Sequence, residues 1–266
     1  MLGKLLKYEL KASARSFVPL YLGIIIASIL LSFTANGEMD IVSVTLGVLT
    51  GGLFIALMMV TIIVIIQRFR KNLLGDEGYL MFTLPVGSKI LIISKCLSSV
   101  IYSVLSTIVS IIAMFIIIFN ATGAFEGQYF GELSSIWQEI VRSMPDILMF
   151  TLVMLLSLIT MILSIYLALS IGQLPPFNEH RVLTAFIAYF GIGIVVNLIQ
   201  ALVAKVVPAL GYMNSLTGNY AYNYGRETFH LFNDSQMWVA VGWTVLEIAL
   251  YFFATSYILD KKLNLE

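Results

Sequence analysis

IVSVTLGVLTGGLFIALMMVTIIVII, residues 41–66, runs for 26 residues without a charged side chain. As an α-helix this segment would be about 39 Å long, which exceeds the roughly 30 Å hydrocarbon core of a bilayer. Five further apolar stretches predict spans of the same kind: residues 17–33, 90–119, 147–171, 182–207 and 237–259. We therefore predict an all-α membrane protein in which residues 1–266 form a single transmembrane domain of six helices.

The overall composition agrees with this interpretation. Hydrophobic residues make up 59% of the 266-residue chain, charged residues make up 11%, and the mean hydropathy is +0.95. A soluble domain has about 25% charged residues. A large buried core in water is excluded as the alternative, because the apolar runs repeatedly exceed the roughly 18 residues that mark a transmembrane helix.

Basic residues are distributed unevenly between the two sides of the predicted topology. Twelve of the 15 fall on one side: Lys4, Lys7, Lys11, Arg15, Arg68, Arg70, Lys71, Lys89, Lys95, Arg181, Lys261 and Lys262. The side rich in lysine and arginine faces the cytoplasm in most membrane proteins. We therefore expect a multi-pass protein of the cell membrane with both termini in the cytoplasm, and with residues 67–89 on the same side.

Residues 1–16 have a pattern of their own. Lys4, Lys7, Lys11 and Arg15 recur at helical spacing on one face, whereas leucines occupy the other. This pattern predicts an amphipathic helix in the membrane interface, with Glu9 as the exception on the apolar side and Pro19 at the bend into the first span. The helix either anchors the topology or acts as a lever against a cytosolic partner.

Several chemistries are disfavoured by what the chain lacks. One cysteine and two histidines leave no HExxH motif and no cysteine-rich metal site, so we expect no metal in this chain. The sequence has no GxxxxGK[ST] phosphate loop, so ATP hydrolysis by the chain itself is not expected. Its basic residues are not interleaved with exposed aromatic residues, which argues against nucleic acid as a partner. We expect no enzymatic activity and no cofactor in the chain.

The longest polar interruption on the basic side is QRFRKNLLGDEGYLMFTLPVGSK, residues 67–89. Basic residues end the second span, and GDEG predicts a turn. An apolar hexamer, YLMFTL at 79–84, follows in a segment that faces water. An exposed apolar patch rimmed by charge is typical of a contact surface. The alternative is that the hexamer folds back onto the bilayer or the helix bundle.

Four features together resemble a known family: KLLKYELK near the N-terminus, DEGYLMFTLPV after the second span, Lys95 in ISK, and IGQL after the fourth span. With six spans, the chain resembles the permease subunits of ATP-binding-cassette exporters of the second type. The resemblance covers the whole chain, and GYLMFTLP is its most specific part.

The resemblance implies a cytosolic coupling helix between the second and third spans. This helix would dock on a separately encoded ATPase that binds ATP and Mg²⁺, and its contact residues would be Glu77, Gly78, Tyr79, Leu80, Phe82, Thr83, Leu84 and Pro85. The N-terminal helix would supply a second contact. Two permease copies, identical or related, would assemble with two ATPases, and ATP hydrolysis would drive substrate export. A secondary transporter and a membrane scaffold or sensor without transport remain alternatives.

Polar residues inside the predicted spans form the last group of candidates. Glu247 lies roughly 14 Å from the outer end of the sixth span, and Asn197 and Gln200 lie at comparable depths, at 1.5 Å per residue. A carboxyl group at this depth is costly unless it is neutral, paired or hydrated. We predict hydrogen bonds between the fifth and sixth spans, and the cluster either packs the helices or lines a substrate path. The sequence does not identify the substrate.

Overall fold

A computed structural model of the chain describes residues 2–34, 41–71, 88–121, 138, 141–174, 180–206 and 235–261. Six helices account for nearly all of them: α1 (Leu2–Thr34), α2 (Ile41–Phe69), α3 (Ser88–Ala121), α4 (Met144–Ile171), α5 (Arg181–Val206) and α6 (Ser235–Lys261). Each contains a segment long and apolar enough to cross a membrane. The predicted six-helix, multi-pass membrane protein is confirmed.

The N-terminal region differs from the prediction. Residues 1–16 do not form a separate helix, because α1 continues through Pro19 as one element of 33 residues. Proline removes one hydrogen bond from a helix and often bends or breaks it. Here both sides of the proline are held in place, since Phe17 and Ile24 are fully buried. Packing against neighbouring helices therefore maintains the helix across a residue that marks a boundary in the sequence.

The first of two compact units comprises residues 1–69 and 93–139. Its core is built by α1, α2 and α3, which contribute Phe17, Ile24, Leu57, Tyr102 and Ala113. The rings of Phe17 and Tyr102 are stacked, with centroids 4.7 Å apart and planes 11° from parallel. Stacked aromatic pairs add to the stabilisation from buried area. This pair joins α1 to α3.

Hydrogen bonds also connect α1 with α3 along much of their length. The Tyr102 hydroxyl donates to the backbone oxygen of Leu10 at 2.6 Å, and the hydroxyls of Tyr21 and Ser106 are 2.9 Å apart. Farther along, Ser32 donates to the backbone oxygen of Ile116 at 3.1 Å. Hydroxyl groups that bond across helices stabilise packing within a membrane. The first unit therefore contains a row of hydrogen bonds between α1 and α3 inside an otherwise apolar helix bundle.

The second unit comprises residues 70–92 and 140–266. Within it α4 packs against both α5 and α6. Burial on α4 is concentrated toward its end, where Tyr166 is completely inaccessible and Ile162 nearly so. Gly172 follows α4 and begins the turn toward α5. This turn brings the two backbones close together.

We expect Gly172→Ala to destabilise the second unit, because a β-carbon there would lie 2.6 Å from the carbonyl oxygen of Arg181 and 3.0 Å from Cβ of Ala185. Overpacking of this kind costs about 1–3 kcal/mol. Thermal unfolding of the detergent-solubilised protein measures the effect. Gly242→Ala is the control, since nothing lies within 4 Å of its β-carbon position. Equal unfolding temperatures for both variants would contradict the close approach.

Candidate functional site

The ends of three helices meet at a cluster of three charged side chains in the first unit, the Glu9 triad, formed by Glu9, Arg68 and Lys95. Glu9 lies near the start of α1, Arg68 near the end of α2 and Lys95 two turns into α3. Lys95 Nζ donates to Glu9 Oε1 at 2.7 Å, and Arg68 Nη1 donates to Glu9 Oε2 at 2.5 Å. Arg68 Nη1 also donates to the backbone oxygen of Glu9 at 3.0 Å. One carboxylate thus binds two cations from two different helices.

Burial makes this pairing energetically important. Lys95 is only 1% exposed and Glu9 only 7% exposed, whereas the Arg68 side chain is more exposed than either. A buried charge is strongly destabilising unless it is paired and hydrogen-bonded. Hydrogen bonds between ionised groups are roughly twice as strong as neutral ones. Each member of the Glu9 triad therefore depends on the others to remain buried.

A small cavity lies beside the Glu9 triad. Arg68 lines it together with three apolar residues, Phe17, Val64 and Ile65, and with five hydroxyl-bearing residues, Ser13, Thr61, Ser98, Ser99 and Tyr102. Its volume is about 10 Å³, which is the space needed by one water molecule. A single water there would hydrate the Arg68 guanidinium. The surroundings of the triad are polar as well as buried.

Sequence reasoning missed the Glu9 triad, although two signals were present. Lys95 lies inside the predicted third span at 90–119, yet it was assigned to the basic cytoplasmic side and to the family resemblance, not to an ion pair. Glu9 was only an exception on an apolar face. An acid on the apolar face of one helix and a base inside an apolar span are the pair of signals that predicts a buried ion pair.

The predicted ATPase contacts, residues 77–85, lie outside the residues that the structure describes. The nearest described residues on either side are Lys71 and Ser88. Arg68 of the Glu9 triad lies near the end of α2, before the segment, and Ser88 begins α3, after it. The Ser88 hydroxyl donates to Asp260 Oδ1 near the end of α6, and Ser256 donates to Oδ2 of the same carboxyl at 3.4 Å.

The other predicted contact is the basic face of residues 1–16. Lys7, Lys11 and Arg15 are exposed on α1, and Lys4 lies in the first turn of the same helix. Their spacing therefore leaves three of these basic side chains accessible. The apolar face opposite them carries Glu9, which the Glu9 triad accounts for.

A second cavity occupies the second unit between α4, α5 and α6, with a volume of about 720 Å³. Of the predicted polar cluster, Glu247 and Asn197 line it, whereas Gln200 is buried and is not part of its wall. Asn197 Nδ2 donates to the backbone oxygen of Gly193 at 2.8 Å, and Trp243 Nε1 donates to Glu247 Oε1.

The predicted hydrogen bonds between the fifth and sixth spans are not seen among the described residues. The bonds of Asn197 and Glu247 connect residues four apart on the same helix. Side chains at this spacing lie one above the other, so a local partner is available without a second helix. The local bonds leave both side chains beside the cavity.

Metal ligands are not gathered in the described parts of the chain. Within those residues, no group of three or more histidine, cysteine, aspartate or glutamate side chains is placed to hold a metal ion. Cys96 is a free thiol there.

Comparison with protein-family models finds no match, and comparisons with curated proteins and with solved structures find none either. The class of the protein therefore follows from the fold. It is a multi-pass membrane protein whose described residues form six helices apolar enough to span a membrane, with a buried ion triad in one unit and, in the other, a largely apolar cavity that Glu247 and Asn197 line.

Proposed function

We propose that this chain is the membrane-spanning permease subunit of an ATP-driven exporter in the cell membrane. The segment at 67–89 lies in the cytoplasm with both termini and docks on a separate ATPase. A second permease copy completes the assembly. The proposal is supported by the resemblance of DEGYLMFTLPV to the coupling segment of such permeases. It is supported further by the way the ends of α2 and α3 are held.

The observation that carries the proposal is that both helices attached to the docking segment bind the same buried carboxylate. Arg68 stands at the end of α2 and Lys95 near the start of α3, and both donate to Glu9 of α1. A force that displaces the end of α2 or the start of α3 would therefore be transmitted to α1 directly through these hydrogen bonds. It would not have to pass through a loop. Packed elements held by directional bonds move as rigid bodies.

A separate contact extends the same argument to the second unit. Ser88, the first residue of α3, binds Asp260 of α6. The segment that precedes Ser88 is therefore tied at its end to α6, as well as to α1 through the Glu9 triad. Within the second unit, a displacement of Ser88 would therefore be passed to α6 through a short polar contact.

Co-purification tests the docking step. The chain is co-expressed with a phosphate-loop ATPase sought among the reading frames next to its own gene, and the complex is isolated through a tag on the permease. We expect Tyr79→Ala combined with Phe82→Ala to abolish recovery of the ATPase, because a few buried aromatic anchors carry most of an interface's binding energy.

The matched control for this experiment is Phe33→Ala. Phe33 is an exposed aromatic residue at the opposite end of α1 from the Glu9 triad. Its loss should leave the ATPase bound. A symmetric size-exclusion profile for each variant shows that the permease remains folded. Full recovery of the ATPase with the double variant would overturn the proposed docking.

A further inference from the structure

The polar groups in the wall of the cavity in the second unit are mainly hydrogen-bond acceptors. On α4 the hydroxyls of Ser157, Thr160 and Ser164 donate to backbone oxygens of their own helix at 2.8–2.9 Å. On α6 the Thr244 hydroxyl does the same at 2.9 Å. A hydroxyl has one hydrogen to donate and two lone pairs. These four groups therefore present oxygen acceptors, because their hydrogens are already used.

Two further side chains add acceptors to the same wall. Asn197 uses an amide hydrogen on Gly193, which leaves its carbonyl oxygen available together with one N–H. Glu247 accepts from Trp243 through Oε1 and is half-buried. Among the residues that line the cavity, Glu247 is the one that carries a charge when ionised. The remaining hydroxyl donors are those of Tyr189 and Tyr251, so acceptors outnumber donors.

The rest of the lining is apolar and aromatic. Met161, Phe190, Ile194 and Leu198 form much of it. The volume of about 720 Å³ falls within the range of roughly 300–1,000 Å³ found for small-molecule sites. Aromatic faces attract cations when water is displaced. The cavity therefore combines an apolar surface, aromatic rings and a cluster of acceptors around one carboxyl group.

We propose that this cavity binds an amphiphilic organic cation. Its protonated amine would donate to Glu247 and to the neighbouring acceptor oxygens, while its apolar body would lie against Phe190, Ile194 and Leu198. As the substrate class of an exporter, this assignment rests on the proposed function. Binding itself requires only the folded chain, so the two ideas fail separately.

The test uses dansylcadaverine, a monocation with one primary amine, and its N-acetyl derivative, which has the same fluorophore and no charge. The full-length permease, without any ATPase, is placed in phosphatidylcholine nanodiscs, and fluorescence titration is corrected with empty nanodiscs. We expect saturable binding of the amine, at least about tenfold tighter than binding of the acetylated compound. Glu247→Gln should remove this preference.

Two further variants accompany Glu247→Gln: one is a control for the loss of charge, and the other is a second test of the cavity wall. Asp146→Asn makes the same chemical change in the first turn of α4, away from the cavity wall, and should bind like the wild type. Thr244→Val removes one acceptor at nearly constant volume and should weaken amine binding by a few-fold even if Glu247→Gln fails to fold.

Three outcomes would overturn the proposal: equal binding of the two compounds, wild-type affinity in Glu247→Gln, or no saturable binding. The last result would arise if lipid or a second copy of the chain filled the cavity. Loss of ATPase docking would contradict the proposed function but leave cation binding intact.

Discussion

Glu9→Gln is expected to lower the thermal stability of the protein more than any other single change considered. The substitution retains size but removes the negative charge that Lys95 and Arg68 share, and it replaces one of the two accepting oxygens with an amide nitrogen that can only donate. Removing one partner from a buried ion pair typically costs 3–5 kcal/mol, about 6–20 °C in melting temperature for a chain of this size. Thermal unfolding in detergent, followed by size-exclusion chromatography, measures the shift.

Two charge-removing variants on the same helix control for a general effect of charge. Lys11→Gln and Arg15→Gln alter exposed side chains of α1. Their effects should remain within about 0.5 kcal/mol, because exposed charges contribute little to stability. A melting temperature for Glu9→Gln equal to that of these controls would show that the Glu9 triad does not hold the three helices together.

The second large expected effect is a loss of coupling to the ATPase in a variant that keeps its stability. Replacing all three charged residues with apolar ones, as Glu9→Leu, Arg68→Met and Lys95→Met, should restore stability to within about 1–2 kcal/mol of the wild type, because no buried charge remains unpaired. Apolar contacts lack the directional bonds that hold α2 and α3 to α1. Under the proposed function, we therefore expect the variant to have about tenfold less effect than the wild type on the rate of ATP hydrolysis by the ATPase.

This experiment compares ATP hydrolysis by the reconstituted complex with hydrolysis by the ATPase alone. Co-purification of the ATPase with the triple variant must be retained, since the predicted contact residues 77–85 are unchanged. A variant that is stable, bound to the ATPase and equally stimulatory would show that the Glu9 triad has no role in coupling. A stable and bound variant without stimulation would support the role proposed for it.

The six helices were predictable because a membrane imposes a simple requirement on each span. Every backbone polar group must be bonded within the segment, so a long apolar run becomes a helix whatever its neighbours are. The second span illustrates this: the run at 41–66 became Ile41–Phe69. The prediction of a separate helix before Pro19 failed for the opposite reason. Pro19 is a local signal for a boundary, and packing of Phe17 and Ile24 overrode it.

The Glu9 triad was not predictable in the same way. Arg68 is 59 residues from Glu9 in the sequence, and Lys95 is 86 residues away. Nothing local to any one of them specifies which helices become neighbours. The cavity was not predictable for the same reason. Its acceptor hydroxyls and its one carboxyl group face a common space only after three helices have packed together.

The sequence by itself determined the six membrane-length helices of the described residues, their approximate limits and the membrane class, since these depend on the apolar length of each segment and on nothing distant. Only the tertiary structure decided that Glu9 pairs with Lys95 and Arg68, and that Glu247 and Asn197 line one cavity. The physical reason is that a buried charge or a cavity wall is a property of several helices together. Hydropathy is summed along one segment and carries no information about the helix beside it.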